Sequence, residues 1–184
     1  MFKNALKIRK MTTRDLCILA MFIAITAVLS YVSGILKTPV GKLNVSFISV
    51  YVCAALFGPV AGGILGAMAD LFSVLFTGGG APIVLFTVIE FINGFLFGLL
   101  FYKAPDAKER SVGKMIVLAA VCVILQYIFN MLRIPVLAEF MGQTWLQNFI
   151  VRIPTTTAML VIKFVAILLL EPHMIKFQKV VMKK

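Results

Sequence analysis

"FISVYVCAALFGPVAGGILGAMADLFSVLF", residues 47–76, decides the fold. It runs for 30 residues without a lysine or arginine. A bilayer core of ~30 Å takes about 20 apolar helical residues, so the run is too long for a single span. Its middle, "GPVAGG", supplies the break. Gly58 suits the end of one helix and Pro59 the first turn of the next. The stretch therefore predicts a tight hairpin, with a short helix 2 over about 46–58 and helix 3 over about 59–77.

Working outward, helix 1 is expected over about 16–35, followed by a connector, residues 36–45, with Pro39, Gly41 and two lysines. "TGGGAP" is a turn that leads into helix 4, about 82–102. The charge-rich loop "KAPDAKERSVGK" precedes helix 5, about 113–134, which stops near Ile134-Pro135. Residues 136–147 read as an amphipathic connector, and helix 6 covers about 148–170 and ends at Glu171-Pro172. Pro154 falls in its first turns, where a missing donor costs least.

Composition agrees with a membrane setting. Of 184 residues, 61% are hydrophobic and 14% charged, against roughly 45–50% and 25% in soluble domains. The basic N-terminus precedes an apolar run of span length with no clear cleavage site, so a retained span is expected rather than a signal peptide. The expectation is an all-α membrane protein: one integral-membrane domain, residues 1–184, built as a six-transmembrane-helix bundle. No internal repeat is evident.

The net charge of +11 does not point to nucleic acid. Of 18 Lys and Arg, 13 fall within residues 3–14, 103–114 and 176–184. Cytoplasmic flanks carry such an excess, so both termini are placed in the cytoplasm of a bacterial cell. Lys37, Lys42, Arg133 and Arg152 fall outside, and Lys163 is left inside helix 6.

Helix direction sets depth at ~1.5 Å per residue. Asp70 lies ~10 Å below the outer end of helix 3, and Glu90 and Asn93 lie ~12–17 Å down helix 4. Gln126 falls near the middle of helix 5, with Asn130 higher and Arg133 at the mouth. Helix 6 starts outside with Trp145, Gln147, Asn148 and Arg152. Polar groups thus crowd the outer half. Such groups face a bundle interior or a watery cavity, so a pocket open to the outside is expected, with Glu90 on its floor.

Each residue has a structural alternative. Asp70 reads equally as a cap or an interhelical bond, and Glu90 as an ion-pair partner of Lys163. Asn130 and Gln126 read equally as interhelical glue. Arg133 reads as a headgroup anchor, and Trp145 as an interfacial belt residue. Arg152 is the stronger ligand candidate, because a guanidinium at a helix start suits bidentate capture of a carboxylate.

Ala20 and Ala24 form a small-xxx-small pair on helix 1, which carries almost no polar residue on its inner half. That face suits either internal packing or another membrane protein. Cys17, Cys53 and Cys122 have no metal-ligand spacing and read as small packing residues. There is no phosphate-binding loop and no G-x-S-x-G. His173 sits at the far end of helix 6, and only one aspartate lies in a span. Neither catalysis nor a metal nor another cofactor is expected. Uptake would draw on an ion gradient or a separate ATPase.

The layout resembles the S components, the substrate-binding subunits of energy-coupling factor (ECF) vitamin transporters. The resemblance covers nearly the whole chain. It rests on the length, six helices, the Ala20-xxx-Ala24 pair, the long first outer loop, "LFGPVAGGILGAMADLF" and "RIPTTTAMLVIKFVAILLLEP". "KLNVSFISVYVCAALFGPVAGGILGAMADL" and "GFLFGLLFYK" are most similar to the folate-type branch. That branch tends to carry an arginine in outer helix 1 and an aromatic Pro-Gly segment after helix 3. Here those stretches read "AVLSYVSG" and "TGGGAPIVLF", so pantothenate and a hydroxymethylpyrimidine stand beside folate as substrates.

The resemblance implies high-affinity binding of a vitamin in an outward-facing pocket. The pocket would use Asp70, Glu90, Asn93, Asn130, Arg133, Trp145 and Arg152. It further implies a transmembrane coupling subunit and two cytoplasmic ATPase subunits as partners, with Ala20 and Ala24 packing on the coupling subunit. A lipid-compatible exterior suits toppling of the whole subunit in the bilayer. The rival reading is a stand-alone secondary transporter, for which six short helices without a repeat offer little material.

Overall fold

The structure is a computed structural model, and it describes residues 12–35, 37–38, 41–42, 44–77, 84–102, 111–133 and 144–181. Among these, six helices follow in order: α1 (Thr13–Ile35), α2 (Phe47–Phe57), α3 (Pro59–Thr77), α4 (Val84–Phe101), α5 (Val112–Met131) and α6 (Trp145–Val181). The one departure from an all-helical architecture is a small antiparallel ladder between β1 (Lys37–Thr38) and β2 (Gly41–Lys42), within the connector after α1. All helices but α2 are long and apolar enough to cross a membrane.

α1 starts three residues earlier than its hydropathy suggests, because "TTRD" is a start signal. The Thr12 amide donates to Asp15 Oδ2 at 3.0 Å, and the Asp15 amide donates to Thr12 Oγ1 at 3.4 Å. This reciprocal capping satisfies two amides that a helix start leaves over. The helix is polar on its inner side and apolar outside. Its buried residues are Asp15, Thr26, Ser30 and Ser33, whereas Met21, Ile25 and Val28 are exposed. The hydroxyls fasten it to the bundle. Thr26 Oγ1 and Ser49 Oγ lie 2.8 Å apart, Ser30 donates to the Ala69 carbonyl at 3.3 Å, and Ser33 accepts from the Val45 amide at 2.8 Å. Lipid is as apolar as leucine, so hydrogen bonds and close packing hold membrane helices together.

α2 has 11 residues and measures about 16 Å, too short to cross alone. Protein rather than lipid surrounds it, since eight of its residues are buried. The turn into α3 falls at Gly58, whose φ of +96° is the single positive φ among the described residues. That backbone favours glycine, and the Gly58 amide closes α2 by donating to Ala54 O at 3.0 Å. Tyr51 anchors α2 in the core: fully buried, it meets Phe97 and Phe101 edge-on and donates to Glu171 Oε2 of α6 at 2.7 Å.

α3 and α4 form the closest helix pair. A Cβ on Gly94 would collide with the Gly62 carbonyl oxygen, and one on Gly66 with the Glu90 carbonyl oxygen. The two backbones therefore touch, as small residues at helix interfaces permit. α5 and α6 close the other side, with Ala119, Cys122 and Ile167 buried between the elements.

α6 does not stop at Glu171-Pro172 as expected; it runs on to Val181. Pro172 removes one backbone hydrogen bond, but an apolar helix-forming flank carries the helix past it. The Tyr51–Glu171 bond and buried Met174 hold the crossing turn against the core. The start of α6 at Trp145 likewise precedes the expected 148.

A Gly94→Ala variant should lose thermal stability in detergent, by about 1–3 kcal/mol for an overpacked contact. Gly113→Ala is the control, because nothing lies within 4 Å of its added methyl. Melting curves that put both variants at the wild-type temperature would contradict the α3–α4 contact.

Candidate functional site

The backbone contact at Gly66 and Glu90 brings the two intramembrane carboxylates together. Asp70 lies one turn beyond Gly66 on α3, and Glu90 comes from α4. Arg133, just past the end of α5, answers them. Its NH1 lies 3.0 Å from Glu90 Oε1 and its NH2 3.8 Å from Asp70 Oδ1. NH2 also donates to the Phe86 carbonyl at 3.0 Å, and the guanidinium lies 5.0 Å from the centre of the Phe86 ring. Thr87 donates to Asp70 Oδ2 at 2.9 Å. One guanidinium thus joins α3, α4 and the C-terminal end of α5. Two carboxylates this close would repel each other without it.

Below the clamp a second polar chain continues. Asn93 Nδ2 donates to Glu90 Oε2 at 3.3 Å. Gln126 Nε2 donates to the Asn93 carbonyl at 3.2 Å, and Lys163 Nζ donates to Gln126 Oε1 at 3.0 Å. Asn130 Nδ2 returns to the Gln126 carbonyl at 2.7 Å. Hydrogen bonds therefore link α4, α5 and α6 across the middle of the bundle.

These groups surround a cavity of about 240 Å³, at the small end of the ~300–1,000 Å³ usual for ligand sites. Asp70, Glu90, Asn130, Arg133 and Arg152 all line it. Asn93 does not. It is 2% exposed, stands behind Glu90, and its Oδ1 has no hydrogen-bond partner among the described residues. The Trp145 side chain lies outside the described residues, so the structure places only its backbone, at the start of α6.

Two alternatives from the sequence are resolved. Glu90 pairs directly with Arg133, while the hydrogen bond of Lys163 goes to Gln126. Arg133 is turned into the bundle rather than acting only as a headgroup anchor. Lys163, left over in the sequence reading, is a wall residue of the cavity, as are Tyr127, Ser73, Thr155 and Thr156. Helical spacing held a signal for several of them. Ser73 is three residues from Asp70, and Thr155 and Thr156 are three and four from Arg152, so each shares its neighbour's face.

Three cations and two carboxylates line the cavity, a surplus of one positive charge. Both carboxylates turn to Arg133, and among the described residues none pairs with Arg152 or Lys163. The arrangement suits a small polar ligand with acceptor groups. No metal-holding cluster occurs among the described residues.

A helical membrane bundle around one polar hollow defines a membrane-embedded binding subunit. The model of the family "ECF transporter, substrate-specific component" matches residues 14–171. The chain belongs to that family, a transporter family and not an enzyme family. It is a multi-pass protein of the bacterial plasma membrane, the part of an ECF transporter that selects substrate. Among relatives, it is 26% identical over 162 residues to the folate transporter FolT of Streptococcus mutans, covering 81% of this chain and 83% of that one. It is 29% identical over 75 residues to the folate transporter FolT of Clostridium novyi, covering 41% of this chain and under half, 44%, of that relative. The crystal structure of FolT bound with folic acid shares the fold. It matches with a TM-score of 0.67 at 24% identity, over 88% of this chain and 95% of that one.

Arg133→Gln should destabilise the purified protein by about 2 kcal/mol for a lost charge-assisted contact, read as a lower melting temperature. Adding Asp70→Asn and Glu90→Gln to that variant should restore part of the loss, because no carboxylate pair is then left facing itself. A triple variant no more stable than Arg133→Gln alone would show that the three side chains do not act as one clamp.

Proposed function

We propose that this chain binds folate, or a closely related vitamin, with high affinity in the cavity between α3, α4, α5 and α6, and presents it for ATP-driven import. The observation that carries the reading is the shared hollow: polar side chains from four helices converge on one cavity inside a family of substrate-specific components. The names of the relatives support folate in particular.

The chemistry of the walls fits. Carboxylates accept N–H groups from the edge of a nitrogen heterocycle, as Asp70 and Glu90 are placed to do. Arg152 has no carboxylate partner among the described residues and suits the carboxylate of a vitamin. A heterocycle that is neutral loses less on leaving water than a dianion does. The ring therefore leads into the cavity, and the carboxylates stay toward Arg152 at the wet end. Asn130 and Arg133 complete the polar wall. Asn93 steadies Glu90 from behind, and Trp145 at the start of α6 belongs to the rim.

We place both termini in the cytoplasm, with six crossings and the cavity opening outward. The 13-to-4 division of basic residues between the flanks supports this. α2 together with the segment before it makes the second crossing. The partners in this reading are a transmembrane coupling subunit and two cytoplasmic ATPase subunits. Ala20 and Ala24 lie on the exposed side of α1, beside exposed Met21 and Ile25, where a second membrane protein can pack closely.

The test is a thermal-shift and native mass-spectrometry screen of the purified chain against folic acid, pantothenate and a hydroxymethylpyrimidine. Folic acid should bind at nanomolar concentration without an ion gradient. Selective binding of either other compound would replace folate as substrate, and binding of none would remove the vitamin reading. Arg152→Ala should weaken folic acid at least tenfold, about 1.4 kcal/mol. Equal affinity in the variant would reduce Arg152 to an anchor. Bulky replacements at Ala20 and Ala24 should leave binding intact and stop uptake by the reconstituted ATPase complex; uptake at the wild-type rate would exclude this face as the docking surface.

A further inference from the structure

Lys163 is a charged wall residue of the cavity. Arg152 and Lys163 both line the cavity from α6, eleven residues apart, or about 16 Å along the helix. If Arg152 attends the wet end, Lys163 attends the leading end of whatever enters. Its ammonium is held in place from two sides. Nζ donates to Gln126 Oε1 at 3.0 Å and lies 5.8 Å from the centre of the Phe47 ring.

Gln126 is itself fixed. It is 1% exposed, and its Nε2 is committed to the Asn93 carbonyl at 3.2 Å. Its side-chain oxygen must therefore face Lys163 and cannot turn a donor there. An ammonium carries three donors, and Gln126 takes one. Val123, Met159 and Leu160 also line the cavity and offer no side-chain acceptor, and Glu90, whose charge reaches Lys163, already holds Arg133 and Asn93 on its two oxygens. Both nearby carboxylates are drawn to Arg133. The inner end of the cavity is thus rich in donors and short of acceptors. A ligand group that accepts hydrogen bonds there takes up a spare donor of the ammonium, and a group that donates meets another donor.

We propose that Lys163, held by Gln126, is the specificity-determining residue at the inner end of this cavity. It donates to a ring carbonyl oxygen on the leading edge of a planar heterocycle, and so selects keto over amino heterocycles. The inference rests on the folate reading above, and it adds which face of the ring is read and by which side chain. Glu90 and Asp70 accept from the ring's N–H edge, while Lys163 donates to its oxo edge.

Folic acid and aminopterin supply the probe pair, since they differ by a ring oxygen replaced with an amino group. The measurement is the dissociation constant of each, by calorimetry or intrinsic fluorescence, for the wild-type chain, Lys163→Met and Lys163→Arg. Wild type should prefer folic acid by about tenfold or more, the range for one hydrogen bond to a charged group. Lys163→Met should weaken folic acid by about tenfold and leave aminopterin nearly unchanged, which removes the preference. Lys163→Arg keeps a donor and should retain part of it. Methionine is unbranched, one atom shorter than lysine, and removes a charge from inside the bundle, so its variant should melt no lower than wild type, which separates this effect from misfolding. A wild-type chain that binds both compounds equally, or a Lys163→Met variant that keeps the wild-type ratio, would overturn the role of Lys163 and leave the folate reading standing. A wild-type chain that binds neither compound would overturn the folate reading and this inference together.

Discussion

The contact between α3 and α4 governs the rest of the molecule. Where Gly62 meets Gly94 and Gly66 meets the Glu90 carbonyl, the two backbones come as close as helices can. That proximity is a packing solution in a solvent that gives helices no hydrophobic reason to associate. It has an electrostatic consequence, because Asp70 and Glu90 then share one small space. A pair of carboxylates in a membrane interior needs a cation, and Arg133 reaches in from the end of α5 to supply it. The clamp in turn fixes where α5 stands, and with it the wall from Gln126 to Asn130 that faces α6.

The hollow follows from the same geometry. α3 and α4 leave no room between them, so the open volume lies on their far side, toward α5 and α6. The polar side chains that cannot face lipid line that volume. Fold and binding site therefore share one cause: Asp70, Glu90, Arg133, Arg152 and Lys163 are tolerated because they face the cavity or one another. The exterior shows the reverse pattern. α1 keeps Thr26, Ser30 and Ser33 inside and presents Met21, Ile25 and Val28 outside, so the surface that meets lipid or a partner is largely apolar.

Much of this was legible in the sequence. The Gly58-Pro59 break, the lengths of the apolar runs and the distribution of basic residues give the helices and their order. Depth arithmetic puts Asp70, Glu90, Asn130, Arg133 and Arg152 in the same half of the bundle, and the structure brings those five to one cavity. Pairing was not legible. Depth leaves Glu90 equally close to Lys163 and Arg133, and only helix rotation gives Glu90 to Arg133 and Lys163 to Gln126. Asn93 shares a face with Glu90 by spacing, yet the neighbouring α5 buries it behind the wall. The end of α6 was missed because a proline reads as a stop, whereas Tyr51, far away in sequence, holds Glu171 in register through that turn.

The most direct measurement of the central claim uses single cysteines, placed at Ser73 on α3 and at Thr156 on α6 in a chain whose three native cysteines are replaced. Intact cells or oriented proteoliposomes are treated from outside with a membrane-impermeant maleimide, with and without folic acid. The account predicts labelling at both positions from the outer side and protection of both by the ligand, while a cysteine at lipid-facing Val121 stays unlabelled throughout. Labelling at one position only, or protection at one and not the other, would mean that the polar residues of α3 and α6 face separate environments, and would contradict the account.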